Sequence, residues 1–177
     1  EVLRCEPDEV LLIGCGDNLV PQCLRSQGIK VYTLDIDRKL NPDYIGDIEN
    51  ISDLVGERSF DCIVCCQVLE HMEFSLMDKI LKQFQGISNK IIISLPVWAL
   101  KGSIAIKAPR IRELRFCLYM SLFWKKFKFD GEHFWEIGSK DTSLRVVKKI
   151  IGKYFIIEND YLCKENMYHH FFILKSK

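Results

Sequence analysis

Long apolar runs are missing from this sequence, and so are the marks of an exported chain. The longest clean stretch, Ile91 to Leu100, is broken by Ser94 and Pro96 and falls short of the ~18 consecutive apolar residues that a membrane-crossing helix needs. The opening Glu1-Val2-Leu3-Arg4-Cys5-Glu6-Pro7 has neither a basic start nor an apolar core, so no signal peptide is expected there. The absence of a leading Met suggests a trimmed or partial chain. A disulfide framework is missing too: the eight cysteines stand at irregular spacings, which points to a reducing, cytoplasmic setting. Cys62 and Cys65 form a CxxC, but Phe60 to Cys66 reads as a strand, where residues three apart face opposite ways and cannot share a metal or a disulfide. His169 and His170 are split in the same way, so no metal site is expected.

What the chain does have is the balance of one globular domain, residues 1–177, with 48% hydrophobic and 28% charged residues. A chain of this length buries roughly 70% of its unfolded surface. Glu9 to Ile13 and Lys30 to Asp35 read as strands, rich in residues that suit a pleated surface. The helix between them has Asp17 and Asn18 as candidate caps, Pro21 in its first turn and Gly28 at its end. Phe60 to Cys66 is a third strand, followed by a capping-box-like Ser75 to Asp78 and a helical stripe of Met77, Ile80, Leu81 and Phe84. Lys90 to Leu95 is an almost unbroken Ile run of the kind buried on both faces, stopped by Pro96. Leu144, Val147, Ile150 and Ile151 mark a helix closed by Gly152. Tyr154 to Glu158 and His170 to Leu174 then read as two strands with no helix between them, so one is expected to be antiparallel. Strands alternating with helices argue for an α/β fold, three-layered and doubly wound around a mostly parallel sheet.

Gly14-Cys15-Gly16 follows the first strand and opens the first helix, where backbone can approach a ligand closely and helix N–H groups face outward. Asp35 ends the second strand, placed to accept hydrogen bonds from both hydroxyls of a ribose. The dinucleotide fingerprint wants a third glycine at position 19, where this chain has Leu19, which weakens a dehydrogenase reading.

Four segments together resemble the class I S-adenosylmethionine-dependent methyltransferase family, of the small-molecule, type 11-like kind. They are Val10-Leu11-Leu12-Ile13-Gly14-Cys15-Gly16, Val31-Tyr32-Thr33-Leu34-Asp35-Ile36-Asp37, Gly46-Asp47-Ile48, and Phe60 to Met72 with Gln67-Val68-Leu69-Glu70-His71 at its end. The resemblance implies a Rossmann-like core with a seven-stranded type of sheet, and S-adenosylmethionine as cofactor with S-adenosylhomocysteine as product. It further implies that Gly14, Cys15 and Gly16 pass under the methionine part, that Asp35 holds the ribose, and that Ile36 packs on the adenine. Asp47 would lie near the exocyclic amine, Ile48 would contribute backbone, and Gln67 would sit beside the methionine end. Leu12 stands where the family often has an acid, and Asn18 replaces a further glycine. These departures leave a rival reading, a non-catalytic cofactor-binding or scaffold subunit.

Residues 98–129 carry eight Lys or Arg and one Glu, a net +7 inside a chain of net +1. On a helix, Ile111, Leu114, Leu118 and Leu122 would form one stripe and Phe116, Met120, Phe123 and Phe127 an opposite one. A helical insertion over 109–128, within an inserted lid or substrate segment 98–138 after the fifth strand, is therefore expected. Its outer face is left to three occupants: the active site, a second copy in a homodimer, or an anionic membrane surface. Nucleic acid is disfavoured by the near-neutral total charge. In the glycine-bounded loop Gly131 to Gly138, His133 is a candidate general base and Trp135 a candidate substrate wall, with His71 a second substrate-facing or catalytic candidate. The expected activity is methyl transfer to an oxygen or nitrogen of a small-molecule or envelope-related acceptor.

Overall fold

The computed structural model describes residues 1–108, 111–122 and 124–177 and, within them, all side chains except those at 103, 105, 108, 111–117, 119 and 121. Among the described residues, nine strands and four α-helices follow one another as β1 (Glu9–Ile13), α1 (Leu19–Ser26), β2 (Lys30–Asp35), β3 (Tyr44–Ile45), α2 (Ile51–Val55), β4 (Cys62–Cys66), α3 (Met77–Ile87), β5 (Lys90–Pro96), β6 (Ala99–Ala108), β7 (Ile111–Ser121), α4 (Leu144–Tyr154), β8 (Phe155–Leu162) and β9 (His169–Ser176). Seven strands form one sheet in the order β3-β2-β1-β4-β5-β9-β8. β1 to β5 are parallel, while β9 runs antiparallel to both β5 and β8. This is the doubly wound, mostly parallel arrangement expected.

Alternation along the central strands divides the core in two. Leu11 and Ile13 of β1, Ile63 and Cys65 of β4 and Ile91 and Ile93 of β5 face a large cluster with Ile51 and Val55 of α2, Met77, Ile80, Leu81 and Phe84 of α3, and Val147 and Ile151 of α4. Val10, Leu12, Cys62, Val64 and Ile92 face a smaller one with Leu24 of α1. Both faces of the sheet are covered, which is why these strands read as unbroken apolar runs. Cys62 and Cys65 stand in different clusters, as the strand period requires. Burial pushes the Cys62 thiol up to about 12 and Cys65 well above its ordinary value, so both are inert packing groups.

Several local expectations need correction. In α1 the side chain of Asp17, not Asn18, accepts the Leu19 amide, while Asn18 takes left-handed backbone at φ 60°. No side chain caps α3: Ser75 bonds Glu73 instead. Helix α4 runs through Gly152 to Tyr154 and is capped by Ser143, whose hydroxyl accepts from the Val146 amide.

The largest correction concerns the insertion. No helix lies among its described residues: β6 and β7 pair antiparallel, with Leu100 opposite Met120, Gly102 opposite Leu118 and Ile106 opposite Leu114. Two apolar stripes on opposite sides of a hypothetical helix are what strict alternation produces when it is wound at 100° per residue, and the β-branched and aromatic content favours the strand. Leu100, Ile104, Ile106, Leu118 and Met120 share one face of this ribbon and are 50–71% exposed. Residue Phe123 and the side chains of Ile111, Leu114 and Phe116, named in the helical stripes, lie outside what is described.

Candidate active site

The carboxyl ends of β1, β2 and β4 open onto a cavity of about 420 Å³ lined by Ile13, Gly14, Leu34, Asp35, Ile36, Gly46, Asp47, Ile48, Gln67, Val68, His71 and Met72. That volume suits a cofactor-sized ligand, and strand ends at the reversal of strand order are where open α/β sheets bind ligands. Gly14 has φ +80°, and a Cβ there would lie 2.6 Å from Val68 Cγ2, so the close approach of backbone to β4's exit demands glycine. The Asp35 carboxylate receives the Cys15 amide on Oδ2 at 2.7 Å and the Asp37 amide on Oδ1 at 2.9 Å. It thus ties the glycine turn to the end of β2, while each oxygen keeps a lone pair for a ligand hydroxyl. Ile36 is 71% exposed on the cavity wall, an apolar plate for a flat base. Asp47 accepts the Glu49 amide at 2.9 Å and faces the same space.

Of the eight cofactor candidates, Gly14, Asp35, Ile36, Asp47, Ile48 and Gln67 line the cavity. Cys15 is buried and acts through its amide on Asp35, and Gly16 is exposed just outside at φ +53°. Asn18 carries the left-handed geometry that a glycine would otherwise supply, and Leu12 is 4% exposed in the smaller core cluster. Gln67 has φ +56°, a costly conformation for a residue with Cβ, pinned by its amide on Ser94 O at 3.0 Å and its side chain on Ser94 Oγ at 3.2 Å. Held left-handed backbone at a cavity wall is characteristic of functional positions.

Beyond Gln67 the chain makes a tight turn, Leu69–His71, that brings Glu70 and His71 against the Gly131 to Gly138 loop. The loop is fixed by Ile137 N to Pro96 O at 2.9 Å, Trp98 N to Ile137 O at 2.8 Å and Phe134 N to Glu70 O at 2.8 Å. His133 and His71 meet edge to face with ring centres 4.9 Å apart. His133 Nδ1 lies 3.0 Å from Glu136 Oε1, and the Tyr168 hydroxyl donates to the same oxygen at 2.7 Å. Burial and the Glu136 charge push the Tyr168 phenol well above its usual value, so it is a fixed donor. Two backbone amides, of His133 and Glu132, hold the Asp130 carboxyl below its ordinary range.

Glu70 is fully buried, and neither of its carboxylate oxygens has a hydrogen-bond partner among the described residues. Burial pushes it up to about 7; its own amide and His133 oppose that shift, and the Glu136 charge adds to it. Glu70, Glu136 and Tyr168 were not singled out from the sequence. The only signal was the Leu69-Glu70-His71 stretch, polar residues directly after a buried strand.

Trp135 is not a substrate wall. It is 3% exposed, donates Nε1–H to Met72 O at 3.1 Å and packs edge-on against Phe74. An aromatic with a donor finds a partner when buried, and here that partner bolts the loop to the core. Trp135→Ala should therefore lower stability by about 3–5 kcal/mol in urea unfolding; an unaltered midpoint would return the residue to the surface.

A second cavity, about 590 Å³, is lined by Trp98, Lys101, Lys125, Lys126, Lys128, Asp130, Glu136 and Tyr168 among others. Lys101 lies 4.6 Å above the Tyr168 ring, and burial lowers its pKa.

A nucleoside-sized pocket at the switch point of a doubly wound sheet, with a glycine turn on one side and an acid on the other, defines the class of α/β proteins that bind adenosine-type cofactors. The chain belongs to the methyltransferase domain family, whose model matches residues 3–117. No curated protein matches it. Solved structures share the fold at low identity. An S-adenosylmethionine-dependent methyltransferase from Clostridium acetobutylicum aligns with TM-score 0.63 and 12% identity over 98% of this chain and 87% of its own. The glycopeptide N-methyltransferase MtfA, complexed with S-adenosyl-L-homocysteine, gives 0.63 and 10% over 99% and 86%. The N-methyltransferase NodS from Bradyrhizobium japonicum gives 0.62 and 11% over 99% and 92%. No helix among the described residues is long and apolar enough to cross a membrane.

Proposed function

We propose that the protein transfers a methyl group from S-adenosylmethionine to an oxygen or nitrogen of a small acceptor that carries negative charge. The supporting observation is the pairing of two cavities across one wall. Asp35, Ile36 and Asp47 offer a ribose acceptor, an apolar plate and an amine acceptor on the first side. Four lysines line the second, and His71, His133, Glu136 and Tyr168 run between the two. When bound, S-adenosylmethionine supplies a methyl already activated by its sulfonium.

The protein's own work is then mostly positional. Asp35, Gly14 and Gln67 fix the cofactor side, while the lysines attract and orient an anionic acceptor, which needs to be held about 3 Å from the methyl and in line with it. Glu136 accepts from His133 Nδ1–H and leaves Nε2 with a lone pair able to take a proton from the acceptor.

Titration calorimetry with S-adenosylhomocysteine and NAD side by side tests the reading: the first should bind and the second should not. Binding of NAD alone would replace it with a dinucleotide enzyme. His133→Ala should leave S-adenosylhomocysteine affinity within about twofold while lowering turnover roughly 100-fold; a full loss of cofactor affinity in that variant would move His133 to the cofactor side.

A further inference from the structure

The residues between the two cavities bring together three groups rich in lone pairs. One ligand-type atom from each of Glu70, His71 and His133 lies within 4.8 Å of the other two. The His71 Nδ1 is 3.1 Å from the Glu132 carbonyl oxygen, which can only accept, so Nδ1 carries the ring proton and Nε2 keeps its lone pair. The same holds at His133, whose Nδ1 faces the Glu136 carboxylate. Beside these imidazoles is the buried Glu70 carboxylate, both of whose oxygens lack a hydrogen-bond partner among the described residues. Protonating it supplies one O–H for at most one of these lone pairs, whereas a cation takes a donor atom from all three.

We propose that Glu70, His71 and His133 bind one divalent transition-metal ion at the His71 end of the cofactor cavity. Two imidazoles and a carboxylate are the donor set of catalytic zinc, manganese and iron sites, in which open positions remain on the ion. Each imidazole already has the outer partner that such ligands use, a carbonyl at His71 and a carboxylate at His133, which favours the tautomer that leaves Nε2 free to ligate. A second group, Asp130, His133 and Glu136, also lies within 4.8 Å, but its carboxylates already have protein donors, whereas Glu70 has none among the described residues. Asp130 Oδ1 takes two backbone amides, and Glu136 Oε1 takes both His133 and Tyr168. Those two acids hold the ligand; Glu70, His71 and His133 are the ligands.

The proposal departs from the sequence-based expectation of no metal site, since His133 stands far along the chain from Glu70 and His71 and only the fold joins them. Donors around a four-coordinate ion at about 2.1 Å are roughly 3.4 Å apart, so the three side chains close by an ångström or so on binding. The use of the ion rests on the methyl-transfer reading: its open positions would take the acceptor's oxygen or nitrogen, and it would occupy the lone pair that otherwise makes His133 a base. Its existence does not rest on that reading.

The test uses chain stripped by chelator and dialysis, titrated with Mn²⁺ while the free-ion signal is followed by electron paramagnetic resonance, and with Zn²⁺ by calorimetry. S-adenosylhomocysteine binding is measured on the same samples. The expected result is one ion per chain, with affinity falling at least 100-fold in Glu70→Gln and in His71→Ala, each checked for its fold by circular dichroism. His71 is exposed, so its variant remains informative if Glu70→Gln does not fold. Ion binding without S-adenosylhomocysteine binding would keep the metal site and overturn the methyl-transfer reading. No binding of either ion to the unsubstituted chain, or equal binding to it and to His71→Ala, would overturn the metal site and leave the cofactor reading intact.

Discussion

Asp35→Ala should lower affinity for S-adenosylhomocysteine at least 100-fold. Two separate losses add. In the proposed function the carboxylate accepts from the ribose in the first cavity, and a hydrogen bond to a charged group is worth about 1.5–3 kcal/mol. It also receives the Cys15 and Asp37 amides, so its removal frees the glycine turn from the end of β2 and adds an ordering cost to every binding event. Asp35→Asn should fall between the two proteins, because one amide oxygen can keep the Cys15 contact while the charge is gone. Calorimetry on the three proteins measures this directly. Equal affinity in Asp35→Ala and the parent would remove the residue from the ligand site altogether.

Gly14→Ala should damage both stability and cofactor binding. The new Cβ meets Val68 Cγ2 at 2.6 Å, which forces either a shift of β4's exit or a turn of the valine, and the φ of +80° is strained for any residue with a side chain. Overpacking costs about 1–3 kcal/mol and left-handed backbone about 1–2 kcal/mol, so a stability loss of about 2–5 kcal/mol is expected together with loss of cofactor binding. The two causes separate in a double-mutant cycle: Val68→Ala removes the clash but not the strain, and should recover roughly half of the stability lost. No recovery would show that backbone strain alone sets the cost.

How far the sequence led depended on how local each signal was. The glycine turn, Asp35 and the four central strands were legible because each is read within a few residues: a stop after an apolar run, an acid at a strand end, buried strands without polar alternation. The antiparallel ending was legible for the same reason, as two strands with no helix between them. The ribbon of β6 and β7 was misread because alternate apolar positions also satisfy a helix with two greasy sides, and only pairing between the strands decides between them. Trp135 was misread because a tryptophan in a glycine-bounded loop says nothing of the carbonyl at Met72 that receives it. Glu70 could be seen but not interpreted, since its interest lies in lacking a hydrogen-bond partner among the described residues while His133, distant in sequence, lies beside it.

The place of β9 has a consequence for how the sheet is completed. β8 is made before β9, yet its only neighbour in the sheet is β9, which inserts between it and β5. Strands β1 to β5 can pair as they emerge, each against an earlier one. The next step must wait while the ribbon, the histidine loop, α4 and β8 are all made, and β9 then zips onto β5 and β8 together. Such a long-range closure carries the loop entropy before any contact repays it, so assembly should stall at a five-stranded intermediate with the β5 edge open. On the ribosome that edge is where a chaperone, or a neighbouring nascent chain, would find its strand.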